Sequence, residues 1–357
     1  MAHHRLEGSA VQVAIHEQGG MLEPRFLLRD AWVAPMHVAP WIGESLSDDI
    51  PPMLRGLRGD FFCAPFGDSD LTPEETRPHG ATANGHWSLR SRSAHALEFE
   101  LDATVMGARV KKRVHVKPGH AAVYQEHAFA GGVGRLPLGH HAMLRAAEPL
   151  LLGFSEFVWA GTPLAPLEPD GVSKLAYPQA FSDLERVQLE TGGFVDLGRY
   201  PMLESHEDLL MLVANPRLEL AWSAVTAPEA GWVWFALKDP AVLPSTVLWF
   251  SNGGRQYAPF GGRHTGVIGV EEVCAYFHLG HRASLDNPLE ALGFKTALPL
   301  EPGLRVRYVF GLAAVPAGFG AVRQIVHDGD GVRLMDDAGR DAFAPLDLNF
   351  IRVPPTR

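Results

Sequence analysis

The run Ala96-Leu-Glu-Phe-Glu-Leu-Asp-Ala-Thr-Val105, followed across Met106-Gly107 by Ala108-Arg-Val-Lys-Lys-Arg-Val-His-Val116, decides the fold. Side chains alternate along an extended chain, so Leu97, Phe99 and Leu101 share one face while Glu98, Glu100 and Asp102 share the other. One face is buried and the other wet. The second run is the hairpin partner of the first, its cations placed to meet those carboxylates across the strands.

The same texture extends in both directions. Short segments rich in Val, Leu, Phe, Trp and Thr are broken by Gly, Pro, Asp and Asn at intervals of roughly ten residues, the mark of an antiparallel sandwich or barrel. Further strands are expected at Ala121–Phe129, Leu218–Val225, Gly231–Leu237, Thr246–Phe250, Gly266–Glu271, Ala275–His278 and Arg305–Leu312. Helix signals are few. Asn287-Pro288-Leu-Glu-Ala-Leu-Gly293 has an N-cap, a proline at the first helical position and a terminal glycine, and a second helix is expected at Gly320–Val326. Gly161–Phe181 carries four prolines and reads as a long surface excursion, a lid or a partner surface. A late hairpin over Gly331–Leu348 turns at Asp336-Asp337-Ala338-Gly339, and a Pro-rich tail follows from Arg352 to Arg357. The predicted architecture is all-β: one large antiparallel β-sandwich domain over residues 1–357 with one or two short helices, in which 313–357 form a C-terminal appendage of helix and hairpin.

Composition narrows the function. A formal charge of -10 and a pI of about 5.9 argue against nucleic acid or an anionic membrane as partner. Cys63 and Cys274 are the two cysteines, too few for a disulfide scaffold and without zinc-site spacing. The start M-A-H-H-R-L-E-G lacks an apolar core, and no run reaches membrane-spanning length. A cytoplasmic protein, monomer or homodimer, acting on a small molecule is expected.

Three stretches concentrate polar groups in apolar context. They are Pro78-His79-Gly80 through Trp87, Leu136-Pro-Leu-Gly-His-His-Ala-Met-Leu-Arg145, and Gly269-Val270-Glu271-Glu272 preceded by Leu248-Trp-Phe-Ser-Asn-Gly-Gly-Arg-Gln-Tyr257. His140 and His141 are neighbours on a strand, so at most one of them faces any one pocket.

As a set, these stretches resemble the galactose mutarotase family, the aldose 1-epimerases and hexose-phosphate mutarotases. His79-Gly80 with Trp87 resembles its H-G-x-x-R-x-x-x-W motif, and Gly59-Asp-Phe-Phe-Cys-Ala-Pro-Phe66 the stretch that precedes it. Gly139–Leu144 resembles its G-x-H-P-Y-F motif and Gly269–Glu272 its G-[IV]-E-P motif. The resemblance implies a supersandwich fold and interconversion of the α and β anomers of an aldose or sugar phosphate, with no cofactor and no metal. It makes His141 the general acid, Glu271 the general base and His79 a second imidazole on the sugar oxygens. Trp249, Tyr257, Arg145 and His140 complete the candidate substrate contacts. The motif arginine falls on Ala83, and the Asn-Arg of the earlier stretch on Asp68-Ser69. Arg58, Arg77, Arg145 and Arg255 are the possible replacements, and Asp183, Asp196 and Asp208 the candidates for the family's substrate-binding aspartate.

The chemistry suits these residue types on its own. Anomer exchange takes a proton from the anomeric hydroxyl and gives one to the ring oxygen, which a Glu (ordinary pKa about 4.3) and a His (about 6.5) can do. Two other readings compete. One is a non-catalytic carbohydrate-binding or regulatory protein on the same fold. The other is a metal enzyme with His79, His140, His141 and Glu271 as ligands, disfavoured because adjacent histidines on a strand diverge and no H-x-H spacing is present.

Overall fold

The computed structural model describes residues 2–72 and 75–352. Among them, two large antiparallel sheets of eleven and nine strands face each other, and a three-stranded sheet covers the outer side of the nine-stranded one. The expected hairpin lies in the nine-stranded sheet as Ala96–Val105 and Ala108–His115. On its wet face Arg109 stands 3.5 Å from Glu100 and Arg113 3.7 Å from Glu98. Lys112 has the opposite parity. It points into the interior at 1% exposure and donates to the Gly20 carbonyl at 2.6 Å.

The eleven-stranded sheet carries the functional stretches. Side by side lie Asp60–Cys63, Leu138–Arg145, Val267–Cys274, Ser245–Asn252 and His206–Ala214. These central strands are buried on both faces along almost their whole length, so no amphipathic alternation marks which side is which. Their inner face joins the main core between the sheets, with Phe26, Leu144, Phe250, Trp234 and Phe310. Their outer face joins a second apolar cluster of Trp41, Met53, Phe61, Phe66, Met143 and Phe260 beneath loops and one-turn helices. A third cluster, with Tyr124, Val309, Phe319, Val332 and Leu334, seals the C-terminal three-stranded sheet to the outer side of the nine-stranded sheet.

The helix expected after Asn287 spans Pro288–Ala291, and the Asn287 side chain accepts from the Leu289 and Glu290 amides. Further one-turn helices occur at Pro52–Arg55, Gly80–Asn84, His281–Leu285 and Asn349–Arg352. Two expectations fail. Gly320–Val326 contributes a strand, Val322–Asp328, paired with Gly331–Asp336: Val322 is buried against the nine-stranded sheet while its neighbours are wet, a face requirement that outweighs local propensity. Ala275–His278 is a tight bend with Phe277 at φ 50°, and the chain leaves the sheet there. The hairpin turning at Asp336–Gly339 forms as Gly331–Asp336 and Asp341–Pro345. The Pro-rich tail beyond Arg352 lies outside the described residues. No helix among those described is long and apolar enough to cross a membrane.

Candidate functional site

Register sorts the two adjacent pairs. His141 lies opposite Glu271 and His140 opposite Glu272 on neighbouring strands, while Phe61 and Phe62 oppose His141 and His140 from the other side. Alternation then sends His141, Glu271 and Phe61 to the outer face and His140, Glu272 and Phe62 to the interior. Gly269, two residues before Glu271, keeps this face open. A Cβ there would meet Glu271 Oε1 at 2.6 Å and Trp249 Cβ at 3.1 Å.

His79 reaches the same place from the entrance to helix Gly80–Asn84, at φ 64°. Gly80 follows at φ 68°, where a side chain would collide with the Ala64 carbonyl at 2.2 Å, so the His-Gly pair is a backbone requirement. His278 arrives from the bend that ends the Glu271 strand, a position sequence reasoning assigned to structure. The four groups converge. His141 Nε2 stands 3.2 Å from Glu271 Oε1, His278 Nε2 is 2.5 Å from Glu271 Oε2, and the His79 ring centroid lies 5.2 Å from that of His141 and 5.3 Å from that of His278. Phe61 stacks on His141 at 4.6 Å.

These imidazoles form the floor of a cleft of about 320 Å³ that is also lined by Trp249, Arg255 and Tyr257. The guanidinium of Arg255 lies over the Trp249 ring, 5.1 Å from its centroid, and donates to Glu168 at 2.6 Å. The Tyr257 hydroxyl donates to the same carboxyl at 3.2 Å. Glu168 belongs to the Pro-rich excursion, so this segment clamps the cleft mouth. Glu207 is buried below, accepting from Trp249 Nε1 at 3.0 Å and from Ser251 Oγ at 2.8 Å.

Burial governs the electrostatics. It pushes Glu271 up to about 7, against the pull of His141 and Arg255, and Glu207 up to about 6. It pushes His141 and His278 down to about 3 and holds His79 well below its ordinary value. A carboxyl that protonates near neutrality thus sits between imidazoles that resist charge, an arrangement suited to passing a proton.

His79, His141 and His278 bring ligand atoms within 4.8 Å of one another and are the residues that could hold a metal ion. At His79 and His141 the outer nitrogens do not fit that role. A ligating imidazole donates its other N–H to an acceptor, whereas His79 Nδ1 accepts from the Gly67 amide at 3.4 Å, which leaves the proton on Nε2, and His141 Nδ1 has no partner.

The other sequence candidates fall elsewhere. His140 is fully buried between the sheets, 3.2 Å from Asp60 and stacked on Tyr308 at 4.2 Å, so it does not line the cleft. Glu272 accepts there from Ser223 at 2.5 Å and Thr246 at 2.8 Å and pairs with Lys238. Arg145 is exposed at a strand end and Arg77 on the surface, neither lining the cleft. Arg58 is taken up by Glu23 at 2.6 Å. Asp183 and Asp196 serve local turns. Asp208 accepts from the amides of Lys174 and Leu175, the Tyr177 hydroxyl and His206, fastening the excursion to the sheet. Sequence reasoning missed His278, Glu168 and Glu207. Their only signal was a charged or imidazole group inside an apolar run or a Pro-rich loop.

No protein-family profile and no curated protein matches this chain. Solved structures do. A candidate aldose 1-epimerase from Escherichia coli K12 superposes with a TM-score of 0.57 at 14% identity, over 88% of this chain and 99% of that one. A galactose mutarotase related enzyme from Lactobacillus acidophilus gives 0.55 at 12%, over 87% and 97%. A galactose mutarotase-like protein from Lactobacillus casei ATCC 334 gives 0.51 at 14%, over 87% and 100%. The fold is therefore the all-β galactose mutarotase-like sandwich.

Proposed function

We propose that the chain is an aldose 1-epimerase-like mutarotase, interconverting the α and β anomers of an aldose by acid and base catalysis. The observation that carries this reading is that His141 and His79, from distant stretches, line the floor of one cleft walled by Trp249 and Tyr257, with Glu271 buried directly behind, 3.2 Å from His141. The sandwich shared with mutarotase-like structures supports it.

In this reading the sugar lies over the imidazole floor of the cleft, beside Arg255 and Tyr257. The Glu271 centre removes the anomeric proton as the bond from C1 to the ring oxygen breaks, and His141 protonates that oxygen. His79, its proton on Nε2, donates a hydrogen bond to a sugar oxygen, and rotation about C1–C2 before closure exchanges the anomers. Arg255, the one Lys or Arg among the described lining residues and already held by Glu168, stands in for the motif arginines that this chain lacks. Its partnered charge favours an unphosphorylated aldose.

NMR exchange spectroscopy on D-glucose, D-galactose and their 6-phosphates tests the proposal. Faster anomer exchange is expected for at least one unphosphorylated sugar, with loss in Glu271→Gln and His141→Asn. Sugar binding without exchange would make this a carbohydrate-binding protein instead.

A further inference from the structure

Glu271 is an awkward base for direct contact with a sugar. Its carboxyl is fully buried and is not among the groups lining the cleft. His278 is. One side of that ring meets Glu271 Oε2 through Nε2 at 2.5 Å, while Nδ1 receives no hydrogen bond from any described residue and the side chain keeps 14% of its surface exposed. The other carboxyl oxygen, Oε1, has no aligned hydrogen-bond partner and lies 3.2 Å from His141 Nε2. One buried carboxyl is thus flanked by two imidazoles, one at each oxygen, and both imidazoles line the cleft. The groups facing His278 are Glu271 and His141 from the sheet, His79 from the helix entrance and the Phe66 ring at 5.1 Å, with Arg255 across the cleft.

Resting on the mutarotase reading of the cleft, we infer that His278 is the catalytic residue that receives the anomeric proton, and that Glu271 carries protons behind the sugar between His278 and His141. Ring opening then balances as follows. The anomeric O–H proton moves to His278 Nδ1, and its electron pair forms the C1 carbonyl. The C1–ring-oxygen pair leaves to the ring oxygen, which takes the proton held by His141. The proton on His278 Nε2 passes to Glu271 Oε2 as the proton that Glu271 held passes from Oε1 to His141 Nε2, so the carboxyl begins and ends protonated and both imidazoles begin and end neutral. Closure on the other face of C1 runs the same transfers backwards and restores the starting state. No oxidant or second substrate is needed. In the tautomer that donates Nε2–H to Glu271 Oε2, the lone pair of His278 is on Nδ1, the nitrogen that no described residue contacts by a hydrogen bond.

A purely structural His278 would serve only to satisfy the buried carboxyl. His278→Gln separates the two roles, because glutamine keeps a donor for Glu271 and cannot accept the proton. Wild type, His278→Gln, Glu271→Gln and the double variant are compared by NMR exchange on D-glucose and D-galactose, with melting temperature and saturation-transfer binding of the same sugars as controls on folding. For a His278 that takes the proton, kcat falls about 10²-fold or more with KM changed a few-fold at most, and the double variant is no worse than the poorer single one, as expected of groups acting as a unit. If His278→Gln exchanges anomers within about threefold of wild type while Glu271→Gln is inactive, the inference is overturned and the mutarotase reading survives. If wild type accelerates no sugar, the mutarotase reading fails and takes the inference with it. A folded, sugar-binding His278→Gln with low kcat supports both.

Discussion

At the scale of single residues, the decisive feature is a carboxyl placed where water cannot reach it. Glu271 is pushed up to about 7 by burial and its imidazole neighbours His141 and His278 down to about 3, so from mildly acid to neutral pH the cluster holds a single transferable proton. The titrations belong to the cluster as a whole. In the proposed reaction, ring opening needs that proton for the sugar's ring oxygen, and the form that holds it is lost as pH rises through about 7. We therefore expect kcat/KM to fall with unit slope above about pH 7, where a solvent-exposed Glu and a free His would give limbs near their ordinary values, about 4.3 and 6.5. Glu271→Gln should abolish that limb along with most of the activity. A profile flat from pH 6 to 9 in wild type would contradict the assignment of the proton to this buried cluster. Trp249 makes no hydrogen bond to the imidazole cluster, its Nε1 donating to Glu207, and its substitution should raise KM more than it lowers kcat.

At the scale of elements, the excursion over residues 161–181 is fastened by one side chain. Asp208 accepts from the Lys174 and Leu175 amides and the Tyr177 hydroxyl, and His206 holds its other oxygen at 2.8 Å. Asp208→Ala would leave these donors without an acceptor, at about 1–3 kcal/mol for each that stays buried. The expected outcome is release of the excursion from an otherwise folded sandwich. Limited proteolysis should then cut between Gly161 and Phe181 while the far-ultraviolet circular dichroism is kept, and KM should rise because Glu168 no longer positions Arg255 and Tyr257. Unchanged proteolysis would show that the excursion is held by other contacts. The same scale explains what could be read in advance. The hairpin Ala96–His115 was legible because it is half wet, and its alternation is written in Glu, Arg and Leu. His79, His141 and Glu271 were singled out by the resemblance of their stretches to the mutarotase family's motifs, and the structure brings the three together. The face of His140 was open in the residues themselves, since the strands Leu138–Arg145 and Val267–Cys274 are buried on both sides and only register separates the two histidines. His278 was hidden because a bend, not a strand, carries it back over Glu271. Glu168 was hidden because a loop side chain gives no periodic signal.

At the scale of the whole molecule, the histidines that burial keeps neutral set the response to acid. His141 and His278 are pushed to about 3, His37 and His115 to about 4 and His264 to about 2. The unfolded chain binds protons at these side chains as pH falls through about 6.5 while the folded protein refuses them. The unfolded state then holds more protons, and stability is lost as pH drops below that value, by about 1.4 kcal/mol per unit for each group. Glu271 works in the opposite sense. The folded state keeps its proton between about 7 and the ordinary carboxyl value near 4.3, so its contribution grows as pH falls through that window. Glu207, raised to about 6, adds to this over a narrower range. Five histidines outweigh two carboxyls. Since a domain is held by only about 5–15 kcal/mol in total, the chain should unfold cooperatively between about pH 6 and pH 4, before most carboxylates have been protonated. Circular dichroism melts at half-unit steps of pH would follow the loss. His264→Asn offers a sharper check, because His264 is wedged against Trp249 at 5.2 Å and His37 at 4.6 Å away from the proton relay. Removing that imidazole should make the loss of stability shallower by about one group's slope. An acid transition that stays as steep in His264→Asn as in wild type, or that begins only below about pH 4, would place the acid sensitivity in the carboxylates instead.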